Sequence, residues 1–314
     1  MNSLILQKQE EVIALAQFDI KDAVLKKCLL KEDETVITVP DGVTVIGKDA
    51  LCGLPSVIAV TLPESLKVIN DGAFYGCSSL ASVTLPGSVE RLGSCAFAQC
   101  STLNKIYLDN KLTEIGNSAF WGCTSLESIG IHAGVTKIGY NLFGSCLSLI
   151  AVSLPETVTE LDERAFKECT SLACITLPDS LLKIGNMAFL NCHNLKSVNI
   201  PDRLESIGEK AFFMCESLHE LEIPDGIASV GGDAFSDCVS VTVRRTISGK
   251  PLYKAVTATD GSSAYNFILR NIWGKDGFDF TAHDNYFPAL QDEYLQYAIA
   301  FSRIRYRVNL IASA

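Results

Sequence analysis

Hydrophobic residues recur every 23 positions through the middle two thirds of the chain. Phenylalanine occupies eight of these positions, and a cysteine follows each one three residues later. The pairs are Phe74 and Cys77, Phe97 and Cys100, Phe120 and Cys123, Phe143 and Cys146, Phe166 and Cys169, Phe189 and Cys192, Phe212 and Cys215, and Phe235 and Cys238. An earlier unit carries Leu51 and Leu54 at the same places. A fixed period of this length predicts a repeat solenoid of nine coils over residues 35–243, with each coil burying its apolar side chains against the next.

Each unit contains three segments of different hydrophobic pattern. An alternating segment such as residues 81–85 ends at a proline, here Pro86, and predicts a half-buried strand that the proline terminates. A second apolar pair follows, and a glycine such as Gly93 usually comes next, where we expect a turn with positive φ. The Ala-Phe-x-x-Cys segment is predicted to form about one helical turn with its Ala, Phe and Cys facing the interior.

The combined pattern Leu-Pro-x-x-Val-x-x-Ile-Gly-x-x-Ala-Phe-x-x-Cys-x-x-Leu resembles the BspA-like, or Treponema-type, leucine-rich repeats. The resemblance covers about two thirds of the chain. It implies a right-handed leucine-rich-repeat superhelix of parallel strands and short helical turns that binds protein or other ligands. Members of this family often act at a cell surface as adhesins. This sequence departs from that pattern because it shows no evident export signal.

The segments on either side of the repeat are predicted to have different roles. Residues 1–34 are expected to cap the first coil, with Phe18-Asp19-Ile20 in a helix or a strand. Residues 244–314 hold 12 of the 26 aromatic residues and a net charge of +3, against −13 for the residues before them. We expect this segment to be mainly helical, with a helix from near Pro288 whose apolar face comprises Leu290, Tyr294, Tyr297, Ala298 and Phe301. It is either a C-terminal cap on the last coil or a separate docking module.

Charge and hydropathy exclude two classes of partner. The formal net charge of −10 argues against nucleic acid, since phosphate binding requires clustered Lys and Arg. No stretch reaches the roughly 20 apolar residues that span a bilayer, so membrane insertion is not expected. If Met1 is the natural start, we expect a cytoplasmic protein. Otherwise the expectation is a secreted or cell-surface one.

The twelve cysteines fall into two groups. The eight periodic thiols are predicted to form a buried column in which cysteine acts as a small hydrophobe. The alternative is a metal or redox ladder, but zinc sites use close Cys-x₂₋₄-Cys pairs, which the periodic positions lack. We therefore predict no metal and no cofactor. No role is assigned to the remaining cysteines, which are Cys28, Cys52, Cys95 and Cys174.

The outward side chains of the alternating segments form the predicted recognition surface. Most are small and neutral, whereas binding hot spots are usually Trp, Tyr and Arg. The residues that stand out as candidate ligand contacts are Lys105, Tyr107, Asn199, Glu220 and Glu222. They indicate another protein as the partner and do not identify it.

The sequence contains no recognised catalytic motif. It lacks a phosphate-binding loop, a nucleophile elbow, a His-Glu-x-x-His metal motif and a dinucleotide fingerprint. Of the four histidines, only His283 lies outside the repeat, and Asp279 and Asp284 are close to it in the sequence. The leading hypothesis is a non-enzymatic protein-binding or scaffold protein. A surface adhesin is the second hypothesis, and an unrecognised activity in residues 244–314 is the third.

Overall fold

The computed structural model describes residues 17–30, 34–108, 111–218, 221–224, 227–238 and 243–244. Within these ranges the chain winds into a parallel-strand solenoid, which confirms the predicted architecture. We number the coils from coil 1 (35–57) to coil 9 (219–240), and coils 1 to 8 have 23 residues each. Some sequence predictions fall outside the described residues. They concern the helical segment after residue 244, His283 with its neighbouring aspartates, and Glu220.

The polypeptide enters the solenoid through a β-hairpin. Strand β1 (Gln17–Lys21) runs antiparallel to β2 (Val24–Leu29), and β2 then pairs in parallel with β4 (Val45–Ile46) of coil 1. Leu25 and Cys28 of β2 are buried. Of the two possibilities for Phe18-Asp19-Ile20, the strand is the one formed, and the hairpin continues the sheet beyond the first coil.

The predicted alternating segments form the first of two strand columns. Its members are β3 (Val36–Thr38), β5 (Ala59–Thr61), β7 (Ser82–Thr84), β9 (Lys105–Tyr107), β11 (Ser128–Gly130), β13 (Ala151–Ser153), β15 (Cys174–Ile175), β17 (Ser197–Val198), β19 (Leu221–Glu222) and β21 (Val243–Arg244). Paired residues such as Ile37 and Val60 are 23 apart, but Leu221 pairs with Val243 across only 22. Coil 9 is therefore one residue shorter than the others.

The later residue of the second apolar pair of each unit, such as Leu92, lies in another strand, which the sequence pattern did not indicate. This second column contains β4, β6 (Val68–Ile69), β8 (Arg91–Leu92), β10 (Glu114–Ile115), β12 (Lys137–Ile138), β14 (Glu160–Leu161), β16 (Lys183–Ile184), β18 (Ser206–Ile207) and β20 (Ser229–Val230). Each strand has two residues, one directed inward and one outward. Two residues are too few to display an alternating pattern, so only stacking reveals these strands.

The Ala-Phe-x-x-Cys segments follow the second strand column in each coil and stack along an edge that we call the turn edge. They fold as consecutive tight turns instead of the expected helical turn. In coil 2, the amides of Ala73 and Tyr75 donate within the coil to residues three positions earlier, while those of Phe74 and Gly76 donate to the next coil. Alternate amides therefore connect adjacent coils, whereas in a helix every amide would bond within its own coil.

The glycine after the second apolar pair has a different function from the one expected. Gly93 and Gly116 are not among the positive-φ residues, which lie two and six positions later in each coil, as at Cys95 and Gln99. A Cβ atom on Gly93 would come within 2.4 Å of the Asp71 nitrogen, and one on Gly116 within 2.3 Å of the Ser94 nitrogen. Glycine is required there because the backbones of adjacent coils approach closely.

The interior is filled by the side chains that recur with the period. The phenylalanine rings from Phe74 to Phe235 stack face to face along the solenoid, with centroid separations of 4.9 to 5.9 Å. All eight rings are buried, and aliphatic residues from both strand columns surround them. The rings form one continuous core in which each coil covers the apolar surface of its neighbour.

Candidate binding face

The outward side chains of the first strand column form an array that we call the front face. Its described members are Val36, Thr38, Ala59, Thr61, Ser82, Thr84, Lys105, Tyr107, Ser128, Gly130, Ala151, Ser153, Cys174, Thr176, Ser197 and Asn199. Between each pair of outward residues lies an inward one, such as Val83 or Ile106. Most of these side chains are short and uncharged, so the front face is a flat surface with few protruding groups.

Lys105 and Tyr107 are the protruding pair at the centre of the front face. Both belong to β9, project from the same side of that strand and are exposed, and the Tyr107 side chain is 61% exposed. Among the described residues, no ion pair engages the Lys105 ammonium. A tyrosine ring is typical of binding hot spots, and an unpaired ammonium group can interact with an aromatic ring or a carboxylate of a partner.

Of the other three candidate ligand contacts, Asn199 is not brought together with this pair. Asn199 lies four coils away in coil 8, where its side-chain amide is bonded to the backbone of Leu177. Glu222 belongs to β19, and its backbone pairs with Arg244. Because its side chain and the whole of Glu220 lie outside the described residues, their part in ligand contact stays a prediction.

The outward side chains near the second strand column form a second surface, the charged face. Here ion pairs connect adjacent coils, in contrast to the front face. They join Lys67 to Glu90, Arg91 to Glu114, Lys137 to Glu160 and Asp162, and Lys183 to Glu160, at nitrogen–oxygen distances of 2.8 to 3.5 Å. Pairs as exposed as these contribute little stability. In these pairs, each positive charge is balanced by a negative charge on the same face.

Glu160 is the centre of the longest of these arrangements. Its carboxylate lies between Lys137 of coil 5 and Lys183 of coil 7. Burial favours the protonated acid, but hydrogen bonds from Lys183 and Lys137 outweigh it and lower the pKa of the Glu160 carboxyl group. The carboxylate is therefore a stable negative charge with both neighbours satisfied, and the charged face offers a partner little unpaired charge here.

The periodic cysteines form a second interior column beside the phenylalanines. Each thiol donates to the carbonyl oxygen of the Phe position in the preceding coil, at sulfur–oxygen distances of 3.0 to 3.2 Å. Burial raises the pKa of the Cys146 and Cys192 thiols to about 12. A protonated, buried thiol is a poor nucleophile and a poor metal ligand.

The four remaining cysteines lie in less uniform surroundings. Cys28 is buried, Cys95 is partly exposed, and Cys52 and Cys174 are exposed. Cys174 belongs to the front face, in line with Lys105 of coil 4. In the described part of the chain, no three His, Cys, Asp or Glu side chains are grouped to hold a metal ion. Across the same residues, no helix has the length and apolar character needed to cross a bilayer.

Sequence and structure comparisons identify similar proteins. The family model described as BspA type leucine-rich repeat region matches residues 19–150 and 136–248 in six copies. A leucine-rich repeat protein of T. pallidum is 30% identical, with a TM-score of 0.50 over 65% of this chain and 88% of its own. A leucine-rich cell surface protein of Faecalibacterium prausnitzii is 24% identical, with a TM-score of 0.46 over 79% of this chain and 97% of its own.

One further solved structure is similar to the chain. A leucine-rich repeat protein of Bacteroides ovatus is 21% identical, with a TM-score of 0.49 over 76% of this chain and 89% of its own. No curated protein matches the chain significantly. Together the two matched ranges run from residue 19 to residue 248, which includes most of the hairpin and all of the described coils. The chain belongs to the BspA-type leucine-rich repeat family.

Proposed function

We propose that the chain is a non-enzymatic protein-binding scaffold whose front face contacts the partner, with Lys105 and Tyr107 at the centre of the contact. The observation that supports this most is the contrast between the two strand columns. The charged face pairs its charges from coil to coil. The front face presents an exposed tyrosine and an unpaired lysine on a flat neutral surface.

The shape of the front face favours a protein over a small molecule. Small ligands bind in concave pockets that cover most of their surface. A row of short, outward side chains on stacked strands provides contact area without such a cavity. Because a typical protein interface buries about 800 Å² on each partner, several adjacent coils would have to contribute.

Site-specific photo-crosslinking in the full chain tests the proposal. A photoreactive phenylalanine analogue replaces Tyr107 in one variant and Thr136 in the control. Thr136 is exposed and precedes β12 on the charged face. We expect polypeptide adducts from the Tyr107 position, and we expect competition by unlabelled protein but not by its Lys105→Ser/Tyr107→Ser variant.

The same experiment can contradict the proposal. Equal crosslinking from both positions would indicate non-specific contact. Adducts from the Thr136 position alone would indicate that the partner binds the charged face instead. If neither position yields a polypeptide adduct in extracts of the source cells, the front face is not a protein-binding surface.

A further inference from the structure

Two aromatic residues occupy the same register position of the turn edge, two coils apart. They are Tyr75 of coil 2 and Trp121 of coil 4, and the residue between them in coil 3 is Ala98. Tyr75 is 38% exposed and Trp121 is partly exposed, whereas Ala98 is fully buried. A molecule lying along this edge would therefore contact the two rings and pass over Ala98. We call Tyr75, Ala98 and Trp121 the aromatic row.

The polar groups of the aromatic row and of its neighbour Gln99 are hydrogen-bond donors without partners. In the described part of the chain, no hydrogen bond engages the Tyr75 hydroxyl, the Trp121 Nε1 atom or the Gln99 side-chain amide. A Cβ atom on Gly122 would collide with the Gln99 amide, so this amide lies against the backbone next to Trp121. All three groups can donate, and the indole can only donate, so a molecule bound here has to supply acceptors.

Similar groups in coils 5 and 6 already have partners within the chain. The Tyr140 hydroxyl accepts from Arg164 Nη1 at 2.6 Å, and the Arg164 guanidinium lies 5.7 Å from the Tyr140 ring centroid. Ser145 Oγ donates to Glu168 Oε2 at 2.7 Å, and Lys167 pairs with Glu168 at 3.1 Å. The contrast leaves the groups of the aromatic row available to another molecule.

The spacing of the two rings selects among the conformations of a bound polypeptide. Stacked coils are about 4.8 Å apart, so Tyr75 and Trp121 are about 10 Å apart along the solenoid. One turn of a polyproline II helix has three residues and advances about 9 Å, so successive turns can present the same side-chain position to each ring. Side chains on one face of a β-strand recur about every 6.6 Å, which does not match.

The unpaired donors favour polyproline II over an α-helix as well. A helix uses its backbone carbonyl groups internally, whereas a polyproline II chain has no internal hydrogen bonds and its carbonyl oxygens are free to accept. Proline also lacks the backbone N–H group that would lose its acceptor on an aromatic ring. Grooves lined by aromatic side chains are a recurring mode of recognition for proline-rich segments.

A carboxylate lies at one end of the aromatic row. A Cβ atom on Gly72 would meet both the Asp49 carboxylate and the Tyr75 side chain, so these two groups are close together. Asp49 is exposed, and among the described residues no ion pair engages it, although Lys48 precedes it in the sequence. An unpaired carboxylate beside the ring is complementary to a basic residue next to the prolines.

We propose that Tyr75, Gln99 and Trp121 bind a proline-rich segment of a partner protein in the polyproline II conformation. The two rings contact successive turns of that segment, and the three polar groups donate to its carbonyl oxygens. Asp49 contacts a basic residue beside the prolines. This site belongs to the turn edge and shares no residue with the front face, so it is a second binding surface.

Peptide binding to the full chain tests the proposal. The probes are fluorescein-labelled oligoproline peptides that carry one arginine at the amino or at the carboxyl end, and fluorescence anisotropy measures their affinity. A Gly-Ser peptide of equal length and charge is the control probe, because it is flexible and not preformed as polyproline II. We expect at least one oligoproline probe to bind about tenfold more tightly than the Gly-Ser probe.

Substitutions locate the site on the molecule. Tyr75→Ser and Trp121→Lys introduce residues that other coils carry at this register position, and each should weaken oligoproline binding about tenfold or more. Phe213→Ser removes an aromatic residue from the same register position in coil 8 and should leave the affinity unchanged. Asp49→Asn should weaken binding of the arginine-bearing probe but not of oligoproline without arginine.

Several results would overturn the proposal. Alkylation of the buried Cys146 thiol has to stay slow in every variant, which shows that the coils remain folded. Equal affinity for the oligoproline and Gly-Ser probes would mean that the aromatic row does not select polyproline II. An effect of Phe213→Ser as large as that of Trp121→Lys would place the binding elsewhere. Displacement of the probe by a linear glucan oligosaccharide would indicate a saccharide site instead.

The two proposed surfaces can be tested independently. Crosslinking from the Tyr107 position should be unchanged in the Trp121→Lys variant, and oligoproline affinity should be unchanged in Tyr107→Ser. A loss of oligoproline affinity in Tyr107→Ser would assign the peptide to the front face and overturn the site at the aromatic row. Absence of crosslinking from Tyr107 would contradict the front-face proposal alone.

Discussion

The side chain of Asn199 hydrogen-bonds both backbone groups of Leu177 in the preceding coil. Its Nδ2 donates to the Leu177 carbonyl oxygen at 2.8 Å, and its Oδ1 accepts from the Leu177 amide at 2.7 Å. Strands β15 and β17 end just before this point, so the amide side chain continues the ladder where the backbone pairing stops. The sequence indicates Asn199 as a ligand contact, but its side-chain amide already joins two coils.

Replacing Asn199 with alanine should therefore destabilise the solenoid. We expect a loss of about 1–2 kcal/mol in the free energy of unfolding, because two backbone groups lose their partners. Urea unfolding followed by circular dichroism measures it. Ser197→Ala, on the same face of the same strand, should change stability by less than about 0.5 kcal/mol. Equal effects for the two variants would mean that the Asn199 bonds contribute nothing.

The cysteine column should make the protein sensitive to alkaline pH. Burial raises the pKa of Cys146 from its ordinary value of 9.0 to about 12. Below pH 9 both the folded and the unfolded state hold the proton, so the stability is fully present. As pH rises towards 12, only the unfolded state ionises, and each such thiol lowers stability by about 1.4 kcal/mol per pH unit.

The contribution of one thiol can be isolated by comparing slopes. In Cys146→Ala, the fall in unfolding free energy between about pH 9 and pH 11 should be shallower than in the unmodified chain by about 1.4 kcal/mol per pH unit. Leu149→Ala, which truncates a buried side chain without a titratable group, provides the control and should leave the slope unchanged. Identical slopes for all three proteins would show that Cys146 ionises as easily in the folded chain as in the unfolded one.

The phenylalanine stack should respond strongly to truncation. Phe120 is fully buried between Phe97 and Phe143, with centroid separations of 5.9 and 5.7 Å. Phe120→Ala removes both ring contacts and leaves a cavity, so we expect a loss of about 3–5 kcal/mol in urea unfolding. The adjacent Trp121 is partly exposed, and Trp121→Ala should cost less. A larger loss for Trp121 would contradict the assigned interior.

Hydrogen bonding between strands is interrupted between coils 4 and 5. In the described part of the chain, this is the one boundary at which both columns break, since β9 and β10 end their sheets and β11 and β12 begin new ones. The turn edge remains bonded there, with the Phe120 amide donating to the Leu142 carbonyl oxygen at 3.1 Å. The two halves of the solenoid are therefore joined mainly along one edge and through the core.

Hydrogen exchange should reveal this boundary. The amides of Thr159 and Asp162 donate to coil 5 at 2.9 and 2.8 Å, whereas the equivalent amides of Thr136 and Gly139 have no such described bond to coil 4. We expect Thr136 and Gly139 to exchange several-fold faster than Thr159 and Asp162 under native conditions. Similar protection at all four amides would show that the strand columns are continuous in solution.

The 23-residue period of the sequence is sufficient to predict the solenoid architecture. Positions that repeat every 23 residues, such as Phe120 and Phe143, must occupy equivalent places in successive coils, and an apolar residue in such a place can only be buried by stacking. The spacing therefore predicted the solenoid, and the outward alternation around Ile106 indicated the exposure of Lys105 and Tyr107. The boundaries at residues 34 and 244 stay predictions.

Contacts between coils decided the remaining features, because they join residues that are 22 to 24 positions apart and have no local signature. The two-residue strands, the close approach at Gly116 and the bonds from Asn199 to Leu177 all depend on how one backbone lies against the next. The sequence determined by itself which residues face inward and how often they recur. Only the stacking of the coils decided which outward polar groups have hydrogen-bond or ion-pair partners within the chain and which are available to a binding partner.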